Sequence, residues 1–227
     1  VDNGSNGANR AVYEALIGRA GGRYIYQPEV FNFPHMCNTG AAAATGDYYL
    51  FLNDDTEVTE GQWLQRMLGH AQIPHAGAVG AKLLYPDSKK IQHCGVINIG
   101  NGPVHAFGGM TDEYTYFFGR NRIDYNWIAV TAACLMVGAD KFAKVSGFDE
   151  ELAVAYNDVD LCFKLYEAGY YNIVRNDVIL RHYESVSRGD DRADAEKMER
   201  LNNERSSLYS RHPSIGCGDP LYNINLN

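Results

Sequence analysis

The stretch Tyr48-Tyr49-Leu50-Phe51-Leu52-Asn53-Asp54-Asp55-Thr56 joins five bulky apolar residues directly to a polar, acidic cluster. An apolar run of this length, bounded by turn-forming residues, predicts a buried β-strand. In open α/β sheets, ligands bind beyond the carboxyl ends of the strands. The stretch therefore predicts an α/β fold with a ligand site at residues 53–55.

The flanking sequence alternates between helical and strand-like patterns. The patterns predict helices over 8–16, 34–45, 59–68, 139–145, 159–168 and 190–209, and strands over 23–26, 48–52, 76–84, 91–99, 104–107, 127–137, 171–174 and 178–180. Residues 111–126 have no clear period and are interpreted as a loop or short helix. With no internal repeat or low-complexity linker, the alternation predicts a single α/β domain.

The amino-terminal residues, Val1-Asp2-Asn3-Gly4-Ser5, have the composition of a turn. A nucleotide-binding α/β sheet normally opens with an apolar strand instead. We therefore expect that the first strand is missing from this chain and that the natural protein is longer.

The composition excludes several classes of protein. With 45% hydrophobic and 21% charged residues among 227, the chain is neither disordered nor fibrous. Its net charge of −8 argues against bulk binding of nucleic acid. No apolar stretch approaches the ~20 residues of a transmembrane helix, and no signal peptide is recognisable.

The cysteines indicate neither a zinc site nor a disulfide framework. They are five, an odd number, without a CxxC pair, at Cys37, Cys94, Cys134, Cys162 and Cys217. We expect reduced thiols in a cytosolic protein, most of them buried as small apolar groups.

The 53–55 cluster has two interpretations. If the strand geometry continues, Asn53 and Asp55 point the same way, and two oxygen ligands converge on Mg²⁺ or Mn²⁺. The alternative is an ordinary acidic turn, because Asn and Asp favour turns by local hydrogen bonding.

Two further residues leave similar alternatives open. Asp158 lies at a predicted helix amino terminus, where it could be a general base toward a hydroxyl. The alternative is that Asn157 or Asp158 only caps the helix. His182 follows the apolar run 178–180 and is either a metal ligand or an ordinary hydrogen-bonded histidine.

Several separated motifs occur together in a fixed order. They are Val1-Asp2-Asn3-Gly4-Ser5, Asn38 with Gly40, Phe51-Leu52-Asn53-Asp54-Asp55-Thr56, Gly80-Ala81-Lys82-Leu83-Leu84-Tyr85, Ile91-Gln92-His93-Cys94-Gly95, Gly147-Phe148-Asp149-Glu150, Asn157-Asp158-Val159-Asp160-Leu161, His182-Tyr183-Glu184-Ser185 and Asp219-Pro220-Leu221-Tyr222-Asn223. Together they resemble glycosyltransferase family 2, and within it the rhamnosyltransferase-like members that build polysaccharides. The resemblance spans nearly the whole chain.

The resemblance implies a GT-A fold, a Rossmann-like mixed sheet flanked by helices, in one domain over 1–227. Residues 1–100 would form the nucleotide-sugar half, 101–189 the acceptor and catalytic half, and 190–227 a carboxyl-terminal helix and tail. The aromatic residues of 101–127 would line an acceptor cleft or, alternatively, pack a flap or a dimer contact.

The implied activity is that of a metal-dependent inverting glycosyltransferase. It would move a sugar from a UDP-, dTDP- or GDP-linked donor to a glycan or lipid-linked acceptor in cell-surface polysaccharide synthesis. The implied location is the cytoplasm, and peripheral association with the inner face of the membrane is compatible with it. A catalytically inactive GT-A-like nucleotide- or sugar-binding module is the alternative, and a nucleotidyltransferase ranks last because no basic, glycine-rich phosphate loop is present.

The resemblance also assigns roles by residue. Asp2 would hydrogen-bond the nucleoside, and the remaining donor-site residues would be Asn3, Ser5, Asn38, Asn53 and Asp54. Asp55 would be the direct ligand of Mn²⁺ or Mg²⁺, joined by His182 and Asn53. Asp158 would be the catalytic base. Asn53 and Asn157 depart from the Asp and Glu that the family pattern usually has there.

Overall fold

The computed structural model describes residues 1–183, 195–216, 218–223 and 225. The helices are α1 (Gly7–Arg19), α2 (Phe33–Ala43), α3 (Trp63–Ala71), α4 (Ala139–Lys144), α5 (Asn157–Glu167), α6 (Ala195–Arg211) and α7 (Pro213–Gly216). The strands are β1 (Tyr48–Leu52), β2 (Thr56–Val58), β3 (Ala76–Leu84), β4 (Ile91–His93), β5 (Val96–Ile99), β6 (Gly102–His105), β7 (Tyr125–Trp127), β8 (Cys134–Gly138) and β9 (Tyr171–His182).

A seven-stranded mixed sheet has the strand order β1-β8-β3-β9-β2, with β4 paired to β3 and β7 paired to β9. β8 is antiparallel to both β1 and β3, and β3 is parallel to β9. β1, β3 and β9 therefore run in one direction and end at the same edge of the sheet, where β8 begins. This edge, where β1, β3 and β9 end, is the carboxyl edge of the sheet.

Helices pack on opposite faces of the central strand β3, of which eight of nine residues are buried. Ala78 belongs to a core cluster with α5, whereas its neighbour Val79 packs in a second cluster with Met67 of α3. Successive side chains of a strand point to opposite faces, so burial of both faces explains why β3 is apolar except for Lys82.

The strands predicted over 48–52 and 76–84 are confirmed, and most helices lie within a few residues of their predicted positions. The predicted burial of 48–52 is wrong: only Phe51 is buried and Leu52 is exposed, because among the described residues β1 pairs on one side only, with β8. The prediction of one strand over 127–137 is wrong: β7 ends at Trp127, β8 begins at Cys134, and the residues between them belong to no strand of the sheet. The two short strands predicted over 171–180 are the single strand β9. The segment 23–26 forms only an isolated bridge between Tyr26 and Asp2.

Gly95 separates β4 from β5, which were predicted as one segment over 91–99. Its φ is 101°, and a Cβ atom there would lie 2.2 Å from Cδ2 of Trp127. Only glycine avoids both the steric strain of that φ and the overlap with the indole ring. The break directs β5 away from β3 to pair with β6 in a separate two-stranded sheet.

Some earlier predictions fall on residues outside the described ranges, including Cys217 and residues 184–194 of the carboxyl-terminal region. The other four cysteines are unpaired, and all except the half-buried Cys37 are buried. In the part of the chain that is described, no helix is both long and apolar enough to cross a membrane.

Candidate functional site

An open cleft of about 1160 Å³ lies at the carboxyl edge of the sheet. Its walls come from the amino-terminal turn, α2, residues 53–55 after β1, residues 131–133 before β8, the start of α5, the end of β9, and α6. Candidate residues from the sequence that line it are Asn3, Asn53, Asp54, Asp55, Asn157, Asp158 and His182. Asp2, Ser5 and Asn38 lie outside this lining.

The structure brings Asp55 and His182 together although 127 positions separate them in the sequence. β1 and β9 end at the same edge, and the backbone N–H of Tyr183 donates to the carbonyl of Asp55 at 2.9 Å. Oδ1 of Asp55 lies 3.0 Å from Nε2 of His182. Despite this distance, Oδ1 is buried and makes no hydrogen bond to any described residue.

The tautomer of His182 follows from the hydrogen bond that its Nδ1 makes. Nδ1 lies 2.8 Å from Oε1 of the buried Gln92, which can only accept a hydrogen bond. The proton of a neutral His182 is therefore on Nδ1, and Nε2 carries a lone pair that faces Asp55.

These atoms fit a hard divalent cation. Neighbouring ligands of an octahedral Mg²⁺, each at about 2.0–2.1 Å from the ion, are about 3 Å apart, as Asp55 Oδ1 and His182 Nε2 are. The amide nitrogen of Asn53 lies 3.3 Å from the same Nε2, so rotation of this amide would bring its oxygen to the site. Among the described residues no group of three or more His, Cys, Asp or Glu side chains could hold a metal, so substrate oxygens and water would complete the shell.

Asp158 is held by backbone donors from two elements. Its Oδ2 accepts from the N–H of Ala132 at 3.1 Å, and its Oδ1 accepts from the N–H of Val159 at 2.8 Å. Each oxygen keeps a further lone pair for a ligand in the cleft. The contact with Val159 satisfies one donor of the helix end, whereas the contact with Ala132 ties the carboxylate to the sheet.

The position before α5 is strained. Tyr156 occupies the N-cap with φ 59° and ψ 5° and makes no side-chain capping hydrogen bond. A non-glycine residue in this left-handed region costs about 1–3 kcal/mol. Asn157 is buried and donates to the carbonyl of Leu152, so capping by Asn157 is wrong.

Asp2 organises the amino-terminal turn. Its Oδ1 accepts from the N–H groups of Gly4 and Ser5 at 3.0 and 2.8 Å, and its Oδ2 accepts from the hydroxyl of Tyr24. These hydrogen bonds, that of Tyr24 foremost, hold the pKa of Asp2 far below its ordinary value. Desolvation and the bond to Asp2 in turn raise the pKa of Tyr24 to about 12.

Asn38 links α2 to the segment 147–150. Its amide nitrogen donates to the carbonyl of Phe148 at 3.0 Å and to Glu150 at 2.9 Å, and its oxygen accepts from the N–H of Phe148. These bonds engage both polar atoms of the Asn38 amide and fix α2 to the segment 147–150 beside the cleft.

Sequence reasoning gave no role to four polar residues at or beside the site. Gln92 contacts His182, and its carbonyl lies 3.1 Å from Nδ1 of His105, which lines the cleft. Lys197 and Arg200 line it from α6. The motif 91–95 was quoted only as part of the resemblance, and the mixed charges of α6 resemble an ordinary solvated face.

Comparison with known proteins identifies the family. Residues 1–143 match Glycosyl transferase family 2, and the chain belongs to this family. The chain is 38% identical over 231 residues to an uncharacterized protein, y4gI, of Sinorhizobium fredii, covering 100% of this chain and 25% of the relative. It is 37% identical over 201 residues to the O-antigen biosynthesis protein RfbC of Myxococcus xanthus, covering 86% of this chain and 15% of RfbC. The chain thus spans a quarter or less of these relatives.

The fold agrees with this family. The mannosyltransferase PcManGT of Pyrobaculum calidifontis, solved in complex with GDP-Man and Mn²⁺, superposes with a TM-score of 0.64 at 14% identity. The superposition covers 96% of this chain and 55% of that structure. The predicted GT-A fold, with its mixed sheet and flanking helices, and the resemblance to family 2 are both confirmed.

Proposed function

We propose that this chain is the catalytic domain of a metal-dependent inverting glycosyltransferase that uses a nucleotide-sugar donor. The observation that carries the proposal is the convergence of Asp55, His182 and Asp158 on one cleft from β1, β9 and α5. Asp55 and His182 can bind a cation that stabilises a diphosphate leaving group. The carboxylate of Asp158, held by backbone N–H groups, can accept the proton of the hydroxyl that receives the sugar.

Asp55 and His182 would hold Mn²⁺ or Mg²⁺, with Asn53 as a neutral third ligand. When bound, the cation supplies charge neutralisation for the diphosphate of the donor. The proposed donor site extends through Asp54 to Asn3, Asp2 and Ser5 of the amino-terminal turn. In this site the Asp2 carboxylate orders the turn by accepting hydrogen bonds from the N–H groups of Gly4 and Ser5. Asn38 supports the wall of the cleft that α2 forms.

Asp158 would act as the general base. Its carboxylate takes the proton of an acceptor hydroxyl while that oxygen forms a bond to the anomeric carbon. The bond from the anomeric carbon to the diphosphate breaks, and the nucleoside diphosphate leaves with the electron pair. Attack opposite the leaving group inverts the configuration of the anomeric carbon. The bonds from Ala132 and Val159 hold the carboxylate in place throughout.

We further propose a role in cell-surface polysaccharide synthesis, with a glycan or lipid-linked acceptor. Its support is the 37% identity to RfbC, a protein named for O-antigen biosynthesis. We propose that residues 1–100 form the nucleotide-sugar half of the domain, 101–189 the acceptor and catalytic half, and 190–227 a carboxyl-terminal helix and tail. The part from 190 also contributes Lys197 and Arg200 to the cleft.

The testing experiment is a calorimetric titration of UDP, GDP and dTDP, each with and without Mn²⁺, into the wild type and Asp55→Ala. We expect Mn²⁺-dependent binding of one nucleotide, lost in Asp55→Ala. The matched control is Asp47→Ala, which removes an exposed carboxylate just before β1, at the opposite end of that strand.

Two outcomes separate this function from its alternative. Binding of the matching nucleotide-sugar without release of nucleoside diphosphate, either to water or to a supplied glycan acceptor, would favour an inactive binding module. No binding by a folded wild type would contradict the donor site altogether.

A further inference from the structure

Gln92 is a buried polar residue that the proposed reaction does not use directly. It lies at the centre of β4, and only 4% of its surface is exposed. Its Oε1 is 2.8 Å from Nδ1 of His182, and its Nε2 is 3.5 Å from the backbone carbonyl oxygen of His182. Both polar atoms of the Gln92 amide therefore contact His182.

The carbonyl of His182 determines the orientation of this amide. If the amide were reversed, its oxygen would face the carbonyl oxygen of His182, and two acceptors would meet without a proton between them. In the observed orientation the NH₂ group faces that carbonyl and Oε1 faces Nδ1. Gln92 thus selects the form of His182 that carries its proton on Nδ1.

The backbone of Gln92 is held on both sides. Its neighbours in β4, Ile91 and His93, pair with Leu84 and Leu83 of β3. Its carbonyl oxygen lies 3.1 Å from Nδ1 of His105. An acceptor fixed in this way orients the His182 ring without moving itself, so the ring cannot turn away from the cleft without losing a buried hydrogen bond.

The consequence appears on the other side of the ring. Nε2 of His182 presents its lone pair 3.0 Å from the buried Oδ1 of Asp55, which has no hydrogen-bond partner among the described residues. Two electron-rich atoms facing each other at this distance favour a cation between them. An Nε2–H form of His182 would instead point its proton at this position.

We propose that Gln92 is a positioning residue for the divalent cation, because it holds His182 in the Nδ1–H form with Nε2 available beside Asp55. This inference rests on the metal site of the proposed function. Groups that orient a metal-binding histidine through its second nitrogen typically contribute 10–100-fold in metal affinity.

The test compares two substitutions of Gln92 by titration of Mn²⁺, followed by the electron paramagnetic resonance signal of the free ion. Gln92→Met has a similar length but no acceptor for Nδ1–H, and we expect its Mn²⁺ affinity to fall about 10–100-fold. Gln92→Glu keeps an acceptor oxygen for Nδ1–H, and burial favours the protonated carboxyl, whose O–H can donate to the carbonyl of His182. We expect its affinity to stay within about threefold of the wild type. The titrations are repeated with whichever of UDP, GDP and dTDP binds.

The control is Asn98→Leu, which removes another amide that is 4% exposed but whose side chain bonds to Ile215 and Tyr209. We expect this variant to lose stability and to keep its Mn²⁺ affinity. If Gln92→Met bound Mn²⁺ like the wild type, the inference would be overturned while the proposed function stood. If the wild type bound no Mn²⁺ with or without nucleotide, both would fall.

A second measurement needs neither metal nor a substitution of Gln92. Nitrogen-15 NMR of the histidine rings in the metal-free wild type distinguishes the two neutral forms of His182, assigned by comparison with His182→Gln. We expect the Nδ1–H form. Observation of the Nε2–H form would overturn the inference even if Gln92→Met failed to fold.

Discussion

Oδ2 of Asp158 accepts a hydrogen bond of 3.1 Å from the backbone N–H of Ala132, which lies 26 positions earlier in the chain. This bond joins the first turn of α5 to the segment before β8, and both line the cleft. The carboxylate is thus oriented by the sheet as well as by its own helix. A carboxylate whose only role was to cap α5 would not need this second donor.

We expect Asp158→Asn to reduce sugar transfer by about 10²–10⁴-fold, because an amide cannot take the proton of the acceptor hydroxyl. The amide oxygen can still accept from Ala132, so Mn²⁺-dependent nucleotide binding should persist. The measurement is release of nucleoside diphosphate from the nucleotide-sugar that binds, alongside calorimetry.

The control is Asp140→Asn, which changes an exposed carboxylate in the first turn of α4, outside the residues that line the cleft. It should transfer at the wild-type rate. Full activity of Asp158→Asn with a bound donor would remove Asp158 from the mechanism.

Asn53 offers a test of the neutral position in the metal site. We expect Asn53→Asp to bind Mn²⁺ about tenfold more tightly, since a second carboxylate adds negative charge to a site whose one proposed anionic protein ligand is Asp55. Calorimetry with Mn²⁺ and the preferred nucleotide measures the change. Unchanged Mn²⁺ affinity together with weaker nucleotide binding would instead indicate that the amide holds the ribose.

His212 provides a pH-dependent link between α5 and the carboxyl-terminal helices. Its Nε2 lies 3.0 Å from Oδ1 of Asp160 and its Nδ1 lies 2.9 Å from Oε2 of Glu167. Burial opposes the charge of His212, but the hydrogen bonds to Asp160 and Glu167 outweigh it and raise the pKa above 6.5. Because the pKa of His212 is raised in the folded state, its interactions with Asp160 and Glu167 stabilise the fold fully below about pH 6.5.

This stabilisation is lost as the pH rises through the raised pKa of His212. We expect His212→Gln to lower the free energy of unfolding by about 1–3 kcal/mol near pH 6 and by less at alkaline pH. Urea unfolding of both proteins between about pH 6 and 9 measures the difference. The control is His75→Gln, which changes an exposed histidine. If the loss of unfolding free energy in His212→Gln were the same at every pH, charged pairing of His212 with Asp160 and Glu167 would be contradicted.

Gly95 and Gly100 form a matched pair in the same region. We expect Gly95→Ala to destabilise the fold by about 3 kcal/mol, because its Cβ would overlap Trp127 at a φ that disfavours alanine. Gly100→Ala meets no atom within 4 Å and has no such φ, so it should be nearly neutral. Thermal or urea unfolding compares the two, and equal stabilities would contradict this account of the β4–β5 break.

Local sequence was sufficient for the elements whose burial is uniform. β3 is an apolar run interrupted only by Lys82, and a run buried on both faces is recognisable without knowledge of its partners. β1 was recognisable from its five apolar residues, although only Phe51 of them is buried. Asp55, Asp158 and His182 were found in the same way, because each follows or opens an element at a place where polar residues are conspicuous. The family resemblance then connected them.

Long-range packing decided the rest. The polar interruption at 175–177 does not break β9, because β3 pairs with residues on both sides of it. The mainly apolar residues 128–133, by contrast, leave the sheet, and Ala132 among them donates to Asp158. Gln92 could not be recognised as a partner of His182 from a sequence in which 90 positions separate them. The sequence by itself determined which segments are buried and which polar residues end them. Only the tertiary structure decided which of those ends meet, because hydrogen bonds between distant strands, rather than local preferences, bring them to one edge.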